Sequence, residues 1–403
     1  MLLSLALIFL IGMALGKVFE RFKLPTLLGM LLTGIILGPY ALNLLDPAIL
    51  DISADLRQIA LIIILTRAGL NLDIKDLKRV GRPAILMCFV PACFEIIGML
   101  LLAPKLLNIS LLEAAIMGSV VAAVSPAIIV PRMLKLMESG YGRNKSIPQM
   151  IMAGASVDDV FVIVLFAAFT GLAQGGTITP AHFLNIPAAI ILGLSGGVTA
   201  GLILSWLFTR FHIRDTGKVI IILSVSFLFV TLEYAISDII GFSGLLAVMA
   251  LGASIAKNKY EVSRRLSGKF SKLWVAAEVF LFVLVGATVD IGYALDAGAS
   301  VMILILAVLL LRMLGVFICL IRTRLIRKER VFTAFAYIPK ATVQAAIGGI
   351  PLAMGLSCGN IVLTAAVLSI IITAPMGAAL IDGTYKKLLT RDEKPIKPIE
   401  NMG

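Results

Sequence analysis

Charged residues, histidine and cysteine are all scarce in this chain of 403 residues. Only 14% of its residues are Asp, Glu, Lys or Arg, whereas a soluble domain contains about 25%. The four cysteines show no metal-ligand spacing and lie in or beside apolar segments, so we expect buried thiols rather than a metal site. Nucleotide-binding loops and nucleophile–base pairs are also missing, which argues against an enzyme, and we expect no cofactor.

Apolar residues make up 60% of the chain, and the mean hydropathy is +1.05. The apolar stretches are long and continuous rather than alternating, which excludes a β-barrel and predicts an all-α polytopic membrane protein. The first segment has no basic residues before it and no cleavage site, so we expect a retained helix. We count thirteen segments, at about 1–17, 25–39, 56–72, 83–104, 111–134, 148–174, 181–210, 219–237, 241–256, 270–290, 297–322, 329–354 and 359–385.

The net charge of +12 is distributed unevenly between these segments. With the N-terminus placed outside, most of the lysines and arginines fall in the cytoplasmic connections and the tail, as the positive-inside rule requires. Lys75, Lys78, Arg79 and Arg82 illustrate this between the third and fourth segments. The excess is therefore a topology signal and not a nucleic-acid surface. We expect a multi-pass protein of the cell (inner) membrane, in contact with lipid, with a cytoplasmic C-terminus and a short tail.

Two segments are interrupted by proline, in "AAVSPAIIVPRML" and "FAYIPKATVQAAIGGIP". Inside a membrane, a break that frees backbone groups is tolerated only where those groups face protein or a water-filled cavity. Each broken segment is the middle one of three, and the second lies seven segments after the first. Because seven is an odd number, the two triplets have opposite orientation. This arrangement predicts an inverted repeat with two broken helices that cross near the midplane, a recurring plan in transporters.

Ionisable residues inside spans are costly, and each is a candidate for function. An adjacent pair, Asp158 and Asp159, interrupts the apolar stretch "GASVDDVFVIVLF". Neighbours on a helix point about 100° apart, so one carboxylate can face a cavity while the other faces a protein partner. We place six further ionisable residues within spans, and Arg57 sits near the outer end of its segment. The six are Arg67, Glu95, Glu233, Glu278, Arg312 and Lys340.

The aspartate pair offers oxygen ligands to a small cation such as Na⁺ or Li⁺, and Ser125 with the freed carbonyls near Pro126 can add more. Burial and a like-charged neighbour favour protonation of one carboxylate. A cation and a proton would then compete for the same oxygens, which couples their movements. Arg312 is the most plausible basic partner, and Glu95 is a second partner for Arg312.

The stretches "SPAIIVPRMLKLMESGYGRNKSIPQMIMAGASVDDV", "LRQIALIIILTRAGLNLDIKDLK" and "YIPKATVQAAIGG" carry a family likeness, and "LPTLLGMLLTGIILGP" adds to it. They resemble the monovalent cation/proton antiporter superfamily, specifically the NHA-type (subfamily B) sodium/proton exchangers. The resemblance implies the sodium/proton antiporter fold, a homodimer and a core domain that moves like an elevator. For this chain, the resemblance implies a dimerisation scaffold at 1–72 and 219–290, a core at 83–174 and 297–385, a linker helix at 181–210 and a tail at 386–403.

The resemblance also suggests roles for single residues. Asp159 matches the cation-binding aspartate, and Asp158 matches the neighbour that pairs with a base, here Arg312. Lys340 falls at the crossing of the broken helices, where it would offset the charges of the half-helix ends. Arg67 would brace a domain interface or line the cytoplasmic funnel.

We therefore expect an antiporter that exchanges Na⁺ or Li⁺ for H⁺. Potassium/proton exchange is the nearest alternative, because oxygen ligands do not by themselves fix ion size. A cation channel is less favoured because Arg312 and Lys340 would oppose cation flow. A sodium-coupled solute symporter would require a larger polar cavity than the sequence indicates.

Overall fold

The computed structural model describes residues 1–72, 81–174, 180–236 and 241–391, without the side chains of residues 156, 160, 174, 180–187 and 234. The basic residues Lys75, Lys78 and Arg79 and the tail beyond residue 391 therefore lie outside the described part. The described chain is helical almost throughout. Its helices are α1 (Leu2–Arg21), α2 (Thr26–Leu37), α3 (Pro47–Asp51), α4 (Ser53–Leu70), α5 (Arg82–Met87), α6 (Val90–Leu107), α7 (Leu111–Val121), α8 (Pro126–Glu138), α9 (Ile147–Gln174), α10 (Pro180–Arg210), α11 (Asp215–Ile236), α12 (Gly244–Asn258), α13 (Tyr260–Ala287), α14 (Ile291–Cys319), α15 (Arg327–Ala336), α16 (Thr342–Ile347), α17 (Ile350–Ala353) and α18 (Gly359–Leu388).

Within the described residues, nine helical segments are long and apolar enough to cross a membrane. Three further apolar helices are shorter, namely α2, α12 and the combined stretch Thr342–Ala353. Each of the thirteen predicted segments overlaps a helical stretch, but the total of thirteen crossings stays a prediction. Several helix boundaries differ from the sequence estimate. For example, α13 begins ten residues earlier than the segment predicted at 270–290.

One group of helices packs together through α1, α2, α4, α12 and α13, with α10 lying against α12. The contact between α2 and α13 is close because glycines face each other's backbones. A Cβ atom on Gly34 would stand 2.8 Å from Ala287 N, and one on Gly286 would stand 3.1 Å from Gly34 Cα. Glycine at both positions therefore lets two helices of this group approach backbone to backbone.

A second group consists of α6, α7, α9, α14 and α18, together with the short helices at the two interruptions. In this group α6 packs along α14, and α7 contacts α6, α9 and α18. A capping box at Ser110 and Glu113 starts α7, and the Asp290 carboxylate caps the first turn of α14. Contacts between the two groups run mainly from α16 to α4 and α13, and from α9 to α10 and α12.

Both predicted interruptions are places where the helix stops. After α7, residues 122–125 are not helical, and α8 starts with Pro126. Ser125 has an extended backbone, as expected before a proline, and Pro126 at the first helical position has no N–H to leave unpaired. Pro131, in contrast, is accommodated inside α8. The second interruption spans residues 337–341, between α15 and α16.

Two further features differ from the sequence estimate. The segment predicted at 83–104 is divided between α5 and α6, with Pro91 in the first turn of α6. The tail predicted from residue 386 is helical to Leu388 and then packs on the connection between α8 and α9. There Gly142 N donates to Thr390 O at 2.9 Å, and the Leu389 side chain is buried.

Candidate ion-binding site at the helix crossing

The two interruptions meet in the second group of helices. The backbone N–H of Ser125 donates to the carbonyl of Pro339 at 2.8 Å. The neighbouring N–H of Val124 donates to Oδ2 of Asp158 on α9, at 2.9 Å. Backbone groups freed by each interruption are therefore satisfied by the other interruption and by α9, which is the condition for broken helices within a membrane.

Arg312 of α14 is fully buried at this crossing and makes contacts in four directions. Its Nε donates to the carbonyl of Tyr337 at 3.0 Å, and Nη1 donates to Glu95 Oε2 at 3.0 Å and also to the carbonyl of Ala122. Its Nη2 donates to Asp158 Oδ2 at 2.8 Å. One guanidinium thus joins both interruptions to two carboxylates, which suits the planar fork of arginine better than a lysine ammonium.

Lys340 lies in the second interruption and is also fully buried. Its Nζ donates to Val121 O at 2.6 Å and stands 2.8 Å from Glu95. Gln344 of α16 uses its amide nitrogen to donate to Val121 O at 3.1 Å and to Ala123 O at 2.8 Å. The carbonyl of Val121 at the end of α7 and the carbonyls of the two residues after it are therefore bound by Lys340, Arg312 and Gln344.

The two aspartates have different surroundings. Asp158 is fully buried, and its Oδ2 accepts hydrogen bonds from Arg312 Nη2 and Val124 N. Asp159 retains 9% exposure, and no ion pair joins it to a base in the described chain. Three buried oxygens of these residues and the first interruption have no hydrogen-bond partner in the described chain: Asp158 Oδ1, Asp159 Oδ1 and Ser125 Oγ. Unpartnered buried oxygens are unfavourable unless a ligand occupies them.

Five ionisable side chains of this cluster are buried: Glu95, Asp158, Asp159, Arg312 and Lys340. With all of them ionised, three negative charges face two positive charges. A single monovalent cation or a single proton bound there would bring the formal sum to zero. Burying an unbalanced charge is expensive, so the arrangement favours occupation by one such ion.

The structure brings together the sequence-predicted residues Ser125, Glu95, Asp158, Asp159, Arg312 and Lys340. Arg67 is not among them, because it lies on α4, where its electrostatic partner is Glu278 of α13. Glu233 lies on α11, which packs against α12 of the first group, and it accepts from Gly244 N at 3.0 Å. Sequence reasoning missed Gln344 and the carbonyl of Tyr337, although both stand in the quoted stretch that contains the second interruption.

Interrupted helices whose ends meet beside buried carboxylates, in an all-helical bundle, are typical of membrane ion transporters. The match to known families agrees. Residues 5–382 fit the family described as "Sodium/hydrogen exchanger, transmembrane". The chain therefore belongs to the sodium/hydrogen exchanger family, whose members are transporters.

Individual relatives extend this result. The chain is 33% identical to human "Sodium/hydrogen exchanger 9B2" over 96% of its own length and 75% of the relative's. It is 32% identical to human "Sodium/hydrogen exchanger 9B1", over 98% of the chain and 80% of that relative. The fold is similar to that of the sodium proton antiporter MjNhaP1 from Methanocaldococcus jannaschii at pH 8, with a TM-score of 0.84 and 19% identity. That superposition covers 95% of this chain and 97% of MjNhaP1.

Proposed function

We propose that the protein exchanges Na⁺ or Li⁺ for H⁺ and that both ions use the aspartate pair of α9. The observation that carries this proposal is the contrast within the pair. Asp158 is held by Arg312 and by Val124 N, whereas Asp159 has no basic partner in the described chain. Asp159 is therefore the carboxylate that is free to take either a metal ion or a proton.

A sodium ion at this place would have oxygen ligands from both aspartates and from Ser125, the class of ligand that hard cations prefer. Asp158 Oδ1, Asp159 Oδ1 and Ser125 Oγ are the buried atoms without partners that would supply them. A proton on Asp159 would remove the negative charge that attracts the cation. Competition then follows from charge alone, and either occupied form has a lower barrier to movement through the membrane than the empty form.

Arg312 and Lys340 serve as fixed charges in this proposal. Arginine stays protonated, so Arg312 holds Asp158 ionised and in place rather than releasing a proton itself. Lys340 offsets the carbonyl end of α7 and shares Glu95 with Arg312. A channel is disfavoured by the same two side chains, because fixed positive charges beside the carboxylates would oppose cation flow.

We further infer alternating access by movement of a core domain against a scaffold, in an inverted-repeat fold with about thirteen crossings. The scaffold would comprise residues 1–72 and 219–290, the core 83–174 and 297–385, and α10 the link between them. The separate packing of the two groups of helices supports this division. We also propose a homodimer in the inner membrane, with the C-terminus in the cytoplasm.

Reconstitution of the purified protein in proteoliposomes with an internal pH dye tests this function. Addition of Na⁺ or Li⁺ should drive proton movement through the wild type, and Asp159→Asn should abolish it. Asp382→Asn is the matched control, because Asp382 is an exposed carboxylate paired with Arg132 and should retain the flux. If only K⁺ drives proton flux through the wild type, the protein is a potassium/proton exchanger instead. Normal flux through Asp159→Asn would exclude the aspartate pair as the site.

A further inference from the structure

Arg57 of α4 is a buried arginine that takes no part in the crossing. Its side chain is only 3% exposed, and its Nε donates to the carbonyl of Ser53 in its own helix at 3.2 Å. Its Nη1 is buried and has no hydrogen-bond partner in the described chain, and no described carboxylate forms an ion pair with Arg57. A buried guanidinium with a free donor is unfavourable, so its position needs a reason.

The Arg57 guanidinium lies directly against Gly349, in the turn between α16 and α17. A Cβ atom built on Gly349 would meet Nη1 and would stand 3.1 Å from Cζ and 3.2 Å from Nη2. The three nearest atoms to that Cβ are all from Arg57. Glycine at position 349 therefore makes room for this one side chain. The contact also brings a positive charge near the carbonyl end of α16, where a cation is favoured.

The two residues belong to different groups of helices. Arg57 lies on α4, which packs with α12 and α13, whereas Gly349 follows α16, which carries Gln344 of the crossing. Few elements connect the two groups, and α16 against α4 is one of these connections. A shift of one group by a few ångströms would move Gly349 away from the guanidinium. The buried charge would then lose its close packing on Gly349 and its position near the carbonyl end of α16.

We propose that Arg57 seated on Gly349 is an interdomain latch, which stabilises the present arrangement of scaffold and core and must open in each transport cycle. This inference rests on the proposed exchange by domain movement. Arg57 is a positioning residue here and touches no transported ion. Its removal should change the balance between the two arrangements while leaving the aspartate site intact.

A double-mutant cycle measures the latch in proteoliposomes. Arg57→Gln and Gly349→Ala should each change the apparent KM for Na⁺ by about threefold or more, and the double variant should resemble either single variant because both remove the same contact. The preference among Na⁺, Li⁺ and K⁺ should stay as in the wild type. Gly383→Ala is the control, since a Cβ there meets no atom within 4 Å. Singles with wild-type KM, or effects that simply add, would overturn the latch.

Cross-linking tests the need to open and does not depend on how Arg57→Gln folds. A variant with Arg57→Cys and Gly349→Cys should transport before treatment with a short bis-methanethiosulfonate reagent. Treatment should lower the flux by about tenfold or more, and a reductant should restore it, because the conformational step is then blocked reversibly. Neither single cysteine variant should respond. Undiminished flux in the cross-linked protein would overturn the latch while leaving the exchange function standing, whereas a wild type without cation-driven flux would overturn both.

Discussion

Asp158 Oδ2 stands 2.8 Å from Nη2 of Arg312, and the two residues are separated by 154 positions in the chain. The adjacent carboxylate of Asp159 has no such partner in the described chain. A single helical step therefore separates a carboxylate paired with a buried arginine from one without a basic partner in the described chain.

Replacement of each aspartate by asparagine should affect thermal stability differently. Asp158→Asn breaks a buried ion pair, which costs up to about 3–5 kcal/mol when one partner is removed. Asp159→Asn removes an unpaired buried carboxylate and should leave thermal stability unchanged or raised. Melting temperatures of the two purified variants in detergent, without sodium, measure the contrast. Equal losses of stability would mean that the two carboxylates are held alike.

Ser125→Ala should affect ion binding more than stability. Ser125 Oγ has no hydrogen-bond partner in the described chain, so its removal breaks no bond within the protein. If it is a cation ligand, the apparent KM for Na⁺ should rise severalfold with little change in melting temperature. Ser119→Ala is a matched control, because that buried hydroxyl already donates to Ile116 O at 2.8 Å. An unchanged KM in Ser125→Ala would exclude the hydroxyl as a ligand.

Substitution of Glu95 should lower thermal stability more than substitution of Lys340. Glu95→Gln weakens the partner of two buried cations, whereas Lys340→Met leaves Glu95 still paired with Arg312. The double variant should recover part of the stability lost in Glu95→Gln, with a coupling energy of about 1 kcal/mol or more. Thermal unfolding of the wild type and the three variants gives that coupling. Strict additivity would show that the 2.8 Å pair of Lys340 and Glu95 contributes nothing.

Acidification should weaken sodium binding competitively. A carboxylate must lose its proton before it ligates a cation, so the apparent KM for Na⁺ should rise by up to about tenfold for each unit of pH below the midpoint of the site. The maximal rate at saturating sodium should change much less. Flux assays at several internal and external pH values kept equal provide the test. A constant KM with a falling maximal rate would indicate separate sites for the two ions.

The residues that directly follow α18 should contribute to the stability of the fold. Leu389 is buried and Thr390 O accepts from Gly142, so Leu389→Ala should cost about 2–5 kcal/mol, as for other core leucines. The matched control is Leu310→Ala, because the side chain of Leu310 is 68% exposed. Expression level and melting temperature report the difference. Equal behaviour of both variants would mean that residue 389 is not part of the packed core.

Much of the architecture could be predicted because lipid imposes strict demands on sequence. Long apolar stretches, the clustering of basic residues between them and the two proline-rich interruptions are all local patterns. The helices found in the described chain overlap the predicted segments. The division of one segment at Pro91 and the continuous helix through Pro131 were not predicted. Local sequence shows that proline lacks a donor, but neighbouring helices decide whether the helix bends, breaks or continues.

The candidate site divides in the same way. By itself the sequence determined that Asp158, Asp159, Glu95, Arg312 and Lys340 are acids and bases inside apolar segments, where burial makes each of them costly. Only the tertiary structure decided that Arg312 pairs with Asp158 and Glu95, that Arg67 lies near Glu278 instead of at the interruptions, and that Gln344 donates to the last carbonyl of α7. These partners lie far apart along the chain, and which of two adjacent side chains faces which helix depends on packing. The residue type determines that a side chain is a carboxylate, whereas the packing of the surrounding helices determines its partner.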